Sequence, residues 1–371
     1  MENLKDKTLV LFFTCGVSLT TWQRSGILER EIKPYNTLAG AFKKIYFITY
    51  GGKEELLFKS MLSSNIEILP QKKWCPAAVY QFLIPLIWHA QLSASHIYKT
   101  NQMGAVIPAL ISQWLYKKKL IVRCGYEWLE FSKKEKKPFW KRLAVFFIEK
   151  TAYANADTIV LTSEKDRRFV LNHFIVPPSR IEIIPNYIDA GLFKPLSAVK
   201  NLFRVIFVGR LHAQKNLLHL AEAVSKTSYE LVMIGSGGLK KEIDLLAKKT
   251  GARVLFKANI PNGKLPEELN AAGVFVLPSL YEGCPKALLE AMSCGLPCIG
   301  TNVEGIKEII RHKENGYLCN TDPASIRKAI DDVLKDRVLG ENMGKKARQT
   351  ILDHFDFPKI IEKEIRMYET I

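Results

Sequence analysis

Two rounds of one pattern constrain this chain more than any other feature. Short apolar runs recur at residues 9–13, 44–49, 66–69, 96–99, 120–123, 158–162 and 181–184, with amphipathic stretches between most of them. Runs of this length read as buried strands, and strands alternating with helices argue for a parallel sheet wrapped by helices. The pattern then restarts at residues 204–208 and continues at 229–234, 254–257, 274–277 and 297–300. Between the rounds lie Pro185-Asn186-Tyr187-Ile188-Asp189 and Phe193-Lys194-Pro195, where prolines and lost periodicity mark a linker. At 371 residues there is chain enough for two domains. The expectation is two doubly wound α/β domains joined by a hinge, with a cleft between them. Ligands of such sheets bind outside the C-terminal ends of the strands.

One strand end stands out. The run 274–277 stops at Pro278-Ser279 and is followed by Glu282-Gly283-Cys284-Pro285-Lys286-Ala287-Leu288-Leu289-Glu290. That order reads strand, tight loop, helix. A loop entering a helix presents free backbone N–H groups, and anions bind there. Glu282 sits in the loop, and Glu290 lies about two turns into the helix by the ~3.6-residue repeat. Two carboxylates so placed suit a ligand with hydroxyls at two points and negative charge between them, as in a nucleotide sugar.

Other strand-end loops of the second half add to this. Gly209-Arg210-Leu211-His212-Ala213-Gln214-Lys215-Asn216 follows the strand at 204–208 and leads into a helix at 217–224. Arg210 and Lys215 can clamp a diphosphate, Arg forking onto its oxygens and Lys acting as a point charge. Taken alone, the pair reads more simply as two solvated cations. His212 reads as structural. Gly235-Ser236-Gly237-Gly238 follows the next strand, where glycines permit close backbone approach to a phosphate. Alone it is a strand-to-helix turn. The conjunction of three such loops on one sheet carries the weight.

This constellation resembles the retaining glycosyltransferases of family 4, the group 1 glycosyltransferases of the GT-B fold. The resemblance rests on Gly209-Arg210-Leu211 with Lys215, on Gly235 and Gly237, and on Pro278-Ser279, Glu282-Gly283, Pro285, Glu290-Ala291-Met292 and Gly295-Leu296-Pro297. Gly305, Glu308 and Asn315-Gly316 also fit, and so does Pro185-Asn186. The resemblance implies two Rossmann-like doubly wound domains facing each other across a cleft. Residues 1–188 would bind the acceptor and residues 189–355 the nucleotide-sugar donor, with a C-terminal helix in 356–371 packing back on the first domain. Arg210 and Lys215 would hold the donor diphosphate and stabilise its leaving charge, Glu290 would take the ribose hydroxyls, and Glu282 would meet the donor sugar. Backbone and neighbouring groups of Gly16, Gly209, Gly235, Gly237, Ile260, Gly283, Cys284, Pro285, Lys286, Ala287 and Leu288 would complete the donor site. Catalysis would fall to Glu282, Arg210 and Lys215.

The implied reaction transfers a sugar from a UDP- or GDP-linked donor to a glycan or lipid-linked acceptor of surface polysaccharide or glycolipid synthesis. Retention has two routes: a covalent carboxylate, with Glu282 as the nucleophile by residue type, or same-face attack with the leaving phosphate accepting the proton. The family is usually assigned the second. Preorganised cations stabilise the leaving charge, so no metal or other cofactor is expected. No DxD triplet or metal-ligand spacing appears. The rival readings are a catalytically inactive binding subunit and a nucleotide-sugar epimerase of the same fold.

The sequence departs from the family in its first half. The first loop, Cys15-Gly16-Val17-Ser18-Leu19, has one glycine where members often carry two. Where many members place a histidine, this chain has Arg123-Cys124-Gly125-Tyr126-Glu127. Arg123, Tyr126 and Glu127 are therefore acceptor-side candidates, Arg123 for an anion and Glu127 for a proton. A solvated pair at a strand end explains Arg123 and Glu127 equally well. Glu304 and Tyr187 stand where glycine is usual.

Charge and composition bound the partners. The net charge is +17, skewed so that residues 1–189 hold 27 Lys and Arg against 16 Asp and Glu. No nucleic-acid motif accompanies it, so no nucleic-acid partner is expected and an anionic membrane surface ranks first. The segment 133–150 is the candidate contact. Lys133, Lys134, Lys136 and Lys137 precede a helix on which Phe139, Trp140, Leu143, Phe146 and Phe147 share a face, a pattern that suits an interfacial helix. The same face also fits a helix packed on its own sheet beside solvated charge. No apolar run approaches a membrane span, and seven scattered cysteines read as reduced thiols. The expected location is cytoplasmic, peripheral on the inner face of the membrane.

Overall fold

The computed structural model describes residues 4–72, 75–125, 127–197 and 199–371. It divides into two compact units, Met1–Pro185 with Ile361–Ile371, and Asn186–Ile360.

The first unit is built on seven parallel strands: β1 Thr8–Phe12, β2 Lys44–Ile48, β3 Ile66–Leu69, β4 Ile97–Thr100, β5 Lys119–Cys124, β6 Thr158–Leu161 and β7 Ile181–Ile183. Their order is β3-β2-β1-β4-β5-β6-β7. Because helices cover both faces, the strands are mostly apolar rather than alternating. Leu9, Val10, Leu11 and Phe12 of β1 are all fully buried. Side-chain caps mark helix starts: Ser18 accepts from the Thr21 N–H ahead of Leu19–Arg24, and Ser163 from Asp166 N–H ahead of Glu164–His173.

The second unit repeats the plan with six parallel strands: β8 Asn201–Val208, β9 Glu230–Ile234, β10 Arg253–Lys257, β11 Ala272–Leu277, β12 Cys298–Thr301 and β13 Tyr317–Cys319. Their order is β10-β9-β8-β11-β12-β13. Val208 pairs with Ile234 and Ile206 with Phe275, so β8, β9 and β11 end side by side. This is where the strand order reverses, the place at which open α/β sheets bind ligands. The core of the unit runs from Phe193 through the sheet to Ile351.

The chain leaves the second unit through its last helix, Phe357–Glu369. Ile188 and Asp356 form an isolated bridge, and Asp356 Oδ1 accepts from the N–H groups of Phe357 (2.9 Å) and Ala190 (3.3 Å). Pro358 falls in the first turn of the new helix, where its missing N–H costs nothing. Further along, Tyr368 meets Phe42 edge-on at 5.1 Å, and Glu364 forms a buried ion pair with Lys99 of β4. No helix among the described residues is long and apolar enough to cross a membrane.

Candidate active site

Three loops leave the C-terminal ends of β8, β9 and β11, and backbone contacts hold the first two together. Gly235 has φ +143°, and a Cβ there would sit 2.0 Å from the carbonyl oxygen of Gly209. Only glycine fits a backbone crossing this close. Leu211 N–H donates to Ser236 O (2.9 Å), and Leu239 N–H donates to Leu211 O (3.2 Å).

The first and third loops are joined by Gln214. Its carbonyl accepts from Leu280 N–H and its side-chain amide donates to Tyr281 O, both at 2.9 Å. This brings Lys215 onto Glu282: the Lys215 ammonium donates to Glu282 Oε1, and Ser279 Oγ donates to the same oxygen at 2.6 Å. The Lys215 and Glu282 side chains are only 14% and 7% exposed. Thr301 at the end of β12 fixes the loop by donating to Ser279 O. Arg210 is exposed beside them and, among the described residues, has no ion-pair partner. His212 accepts from Gln214 N–H through Nδ1 at 3.4 Å, a local cap.

Glu290 lies on the helix Lys286–Ser293 and is 2% exposed. Asn262 Nδ2 donates to Glu290 Oε1 at 3.2 Å. Asn262 itself follows Ile260-Pro261 in the loop after β10, where Ile260 packs half-buried on the core. The helix start has no side-chain cap, and Asn186 Nδ2 holds the turn before it through Cys284 O at 2.7 Å. Gly283, Cys284, Lys286 and Ala287 are half-buried there, and Pro285 is buried. Leu288 offers nothing to a ligand: its side chain is fully buried and its N–H donates to Pro285 O.

The arrangement therefore holds a cation–carboxylate pair at a strand-end switch point and a second carboxylate along the adjoining helix. Such a set can bind a diphosphate and hydroxyls together. Lys215, Ser279 and Glu282 form one hydrogen-bonded cluster, braced by Gln214 on the backbone of Leu280 and Tyr281, and Glu290 with Asn262 forms a second. Gln214 and Asn262 carry no sequence signal, because their roles come from contacts made across 67 and 28 residues of chain.

The first-unit candidates fare differently. Gly16 is exposed with φ +78° and open space where a Cβ would stand. Arg123 is half-buried at the end of β5, its N–H bonded to Thr100 Oγ1 at 2.9 Å. Tyr126 lies outside the described residues. Glu127 requires correction as a surface acid: it is fully buried and turned inward, accepting from Tyr153 Oη at 2.7 Å. The sequence could not reveal this, because Glu127 stands just before the helix Trp128–Lys134 without capping it, and its side chain is drawn into the core by Tyr153, 26 residues away.

Cys124, Glu127 and Glu149 present donor atoms within 4.8 Å of one another, all buried. Glu149 caps the Trp128–Lys134 helix, accepting from Trp128 N–H at 2.6 Å and Leu129 N–H at 3.3 Å. Burial pushes Glu149 up to about 7 against the pull of those N–H groups. Burial and the neighbouring Glu149 push Glu127 well above the usual carboxylate range, and burial pushes the Cys124 thiol up as well. The group is a cluster of buried acids whose burial favours the protonated forms, packed around one capping carboxyl. Glu127 Oε1 is buried without a hydrogen-bond partner.

Comparison with known proteins places this geometry. The family profile "Glycosyl transferases group 1" matches residues 192–350, and "Glycosyltransferase Family 4" matches residues 44–192. The chain is 30% identical over 269 residues to the UDP-Gal:alpha-D-GlcNAc-diphosphoundecaprenol alpha-1,3-galactosyltransferase of Escherichia coli, covering 66% of this chain and 67% of that protein. It is also 30% identical over 256 residues to the N-acetyl-alpha-D-glucosaminyl L-malate synthase of Bacillus anthracis, covering 63% of this chain and 62% of that one. Among solved structures it superposes on sucrose-phosphate synthase from Thermosynechococcus elongatus with TM-score 0.80 at 17% identity, covering 98% of both chains. Anabaena HepE in complex with UDP and glucose superposes with TM-score 0.78 at 15% identity, covering 99% of this chain and 100% of that one.

Proposed function

Since this chain belongs to the family 4, group 1 glycosyltransferases of the GT-B fold, we propose that it transfers a sugar from a nucleotide donor, with retention and without a metal, to a glycan or lipid-linked acceptor. The observation that carries the reading is the Lys215–Glu282 pair at the strand-order reversal, joined through one helix to Glu290. In this reading Arg210 and Lys215 take the donor diphosphate, Glu290 takes ribose hydroxyls, and Glu282 positions the sugar. The glycosyl–oxygen bond breaks and its electron pair stays on the diphosphate, where the two cations stabilise the growing charge. The acceptor hydroxyl attacks the anomeric carbon from the same face, and its proton passes to the departing phosphate oxygen. Atoms and charge balance without an enzyme nucleophile.

Uridine is the favoured base, because HepE was solved with UDP and the Escherichia coli relative is named for a UDP-linked donor. That relative's name also supports an acceptor on a diphosphate-linked lipid. GDP remains the alternative nucleotide. A membrane acceptor agrees with the helix Phe139–Asn155, where Phe139 and Trp140 are 70% and 66% exposed beside the exposed cations Lys133, Lys134, Lys136, Lys137 and Lys141. Cations near an anionic leaflet contribute ~1 kcal/mol each. The enzyme would then act on the cytoplasmic face of the membrane.

The test is a metal-free thermal-shift titration with UDP, GDP, ADP and nucleotide sugars. A rise in melting temperature with one nucleotide, lost in Lys215→Ala, is the expected result. No shift with any nucleotide would refute the donor site as assigned.

A further inference from the structure

The first unit carries a second apolar surface that the helix Phe139–Asn155 does not account for. On the helix Ala77–Ile87, Val79, Phe82 and Leu86 are exposed, Leu86 by 69%. Their spacing of three and four residues lines them into one stripe. The opposite face of the same helix, with Tyr80, Ile84 and Pro85, is buried. The neighbouring helix, Val106–Tyr116, exposes Trp114 and Leu115 at its end.

These helices form one layer. Tyr116 Oη donates to Pro85 O at 2.8 Å, tying Val106–Tyr116 to the helix Ala77–Ile87. On its other side Gln113 Nε2 donates to Asn155 O at 2.8 Å and Trp114 Nε1 to Asn155 Oδ1 at 3.1 Å, tying it to Phe139–Asn155. The stripe on Ala77–Ile87 and the face of Phe139, Trp140, Leu143 and Phe147 are thus outer surfaces of a single three-helix layer.

Charge selects what covers it. Between Glu67 and Glu127 the sequence contains no Asp or Glu, while Lys72, Lys73, Lys99, Lys117, Lys118, Lys119 and Arg123 fall within that stretch. Lys72, Lys117 and Lys119 are exposed around the layer. A protein interface has a rim of mixed charge to match its partner. Acids at this edge are few, Asp157 paired with Lys119 (3.0 Å) and Glu135 with Lys137 (2.9 Å), and an apolar surface edged by so large an excess of cations matches an apolar interior beneath a negative surface, which is an anionic bilayer.

We propose that the helix Ala77–Ile87 is a second bilayer contact, and that anionic lipid covers the layer from this helix to Phe139–Asn155. The proposal rests on the reading that the basic helix meets a membrane, and it extends that reading to a separate element. Two contacts on separate helices fix the first unit on the bilayer, where one helix alone would leave it free to roll.

Flotation of the full-length protein on phosphatidylcholine vesicles, with and without phosphatidylglycerol, tests it. Wild-type protein floats with the anionic vesicles, and both Phe82→Glu/Leu86→Glu and Trp140→Glu/Phe147→Glu lower the vesicle-bound fraction roughly tenfold or more. Phe82→Ser/Leu86→Ser gives a smaller loss in the same direction, and circular dichroism with melting temperature confirms that each variant is folded. Wild-type flotation of the Phe82/Leu86 variants, with loss only in Trp140→Glu/Phe147→Glu, overturns the second contact and leaves the basic helix as the membrane element. No flotation of the wild type overturns both. A concentration-dependent dimer that Phe82→Glu/Leu86→Glu abolishes assigns the stripe to a second copy and also overturns the proposal.

Discussion

Lys215→Ala separates a catalytic cation from a structural one. Its ammonium touches Glu282 Oε1, whose only other donor among the described residues is Ser279 Oγ. Two consequences follow from that geometry. Removing a preorganised charge aimed at a leaving group lowers turnover about 10²–10³-fold. Removing one partner of a fully buried ion pair costs ~3–5 kcal/mol; with side chains 14% and 7% exposed and Ser279 still in place, about 2–3 kcal/mol is expected. For a unit of this size that lowers the melting temperature by roughly 4–12 °C.

The loss of turnover alone would not tell the two roles apart, since a loosened loop also slows catalysis. Calorimetric titration with the preferred nucleoside diphosphate and with its nucleoside does. Loss of a cation that holds the diphosphate weakens binding of the diphosphate at least tenfold and leaves the nucleoside unchanged, because in the proposed reading base and ribose would meet Ile260 and Glu290 and not Lys215. Equal losses for both ligands would mean that the substitution collapses the site. Unchanged diphosphate affinity with a folded protein would refute the phosphate role outright.

Three further outcomes follow from the packing. Gly235→Ala forces a Cβ to within 2.0 Å of the Gly209 carbonyl, so it should destabilise the second unit by at least ~2 kcal/mol in denaturant melts and abolish nucleotide binding. Lys99→Met leaves Glu364 charged and buried, costing about 3–5 kcal/mol, while Lys99→Met/Glu364→Leu recovers most of the loss. Burial alone would raise the Glu364 carboxyl, but Lys99 and Arg123 outweigh it and hold it below the ordinary range. Its contribution is therefore present above the ordinary carboxylate pKa and lost as the pH falls through its folded value. Glu149 has the opposite sign: raised to about 7, it contributes stability that is complete below its ordinary pKa and is lost as the pH rises through 7. Melting curves between pH 5 and 8 should fall with pH in the wild type and become shallower in Glu149→Gln, which removes the raised carboxyl and keeps an oxygen to accept from the helix N–H groups.

Much of the fold is legible in the sequence, because buried parallel strands are apolar runs of fixed length and glycines mark their ends. Twelve of the thirteen strands appear as such runs, in order. The missed strand, Tyr317–Cys319, has three residues and no run to betray it; its identity comes from pairing with β12, Ile299 to Tyr317. The start of β8 was equally hidden, since Asn201, Leu202 and Phe203 are exposed and extended only through their neighbours on β11. The candidate-site residues are legible for a local reason. Gly209, Gly235, Glu282 and Glu290 sit on turns and a helix whose geometry is written in a few consecutive residues.

The first unit shows where such reading ends. Phe139, Trp140, Leu143, Phe146 and Phe147 make a stripe whether they face a sheet or a bilayer, because periodicity records that residues share a face and not what the face meets. The structure separates them by contact. Phe146 stacks on Phe174 at 5.6 Å, while Phe139, Trp140, Leu143 and Phe147 stay in solvent. The buried side of the helix is Glu149, Ala152 and Tyr153, in its second half. Glu149 reaches back from there to cap the helix Trp128–Lys134, and so anchors the basic segment that leads into Phe139. A buried carboxyl raised to about 7 thus holds the start of the helix Trp128–Lys134, at whose far end the cationic stretch begins. Raising the pH through 7 charges Glu149 in a buried site, which costs stability although the cap hydrogen bonds strengthen and every lysine stays charged, so flotation on anionic vesicles should hold while thermal stability falls. A decline of both together, absent in Glu149→Gln, would show that the anchored geometry and not the charge alone makes the contact.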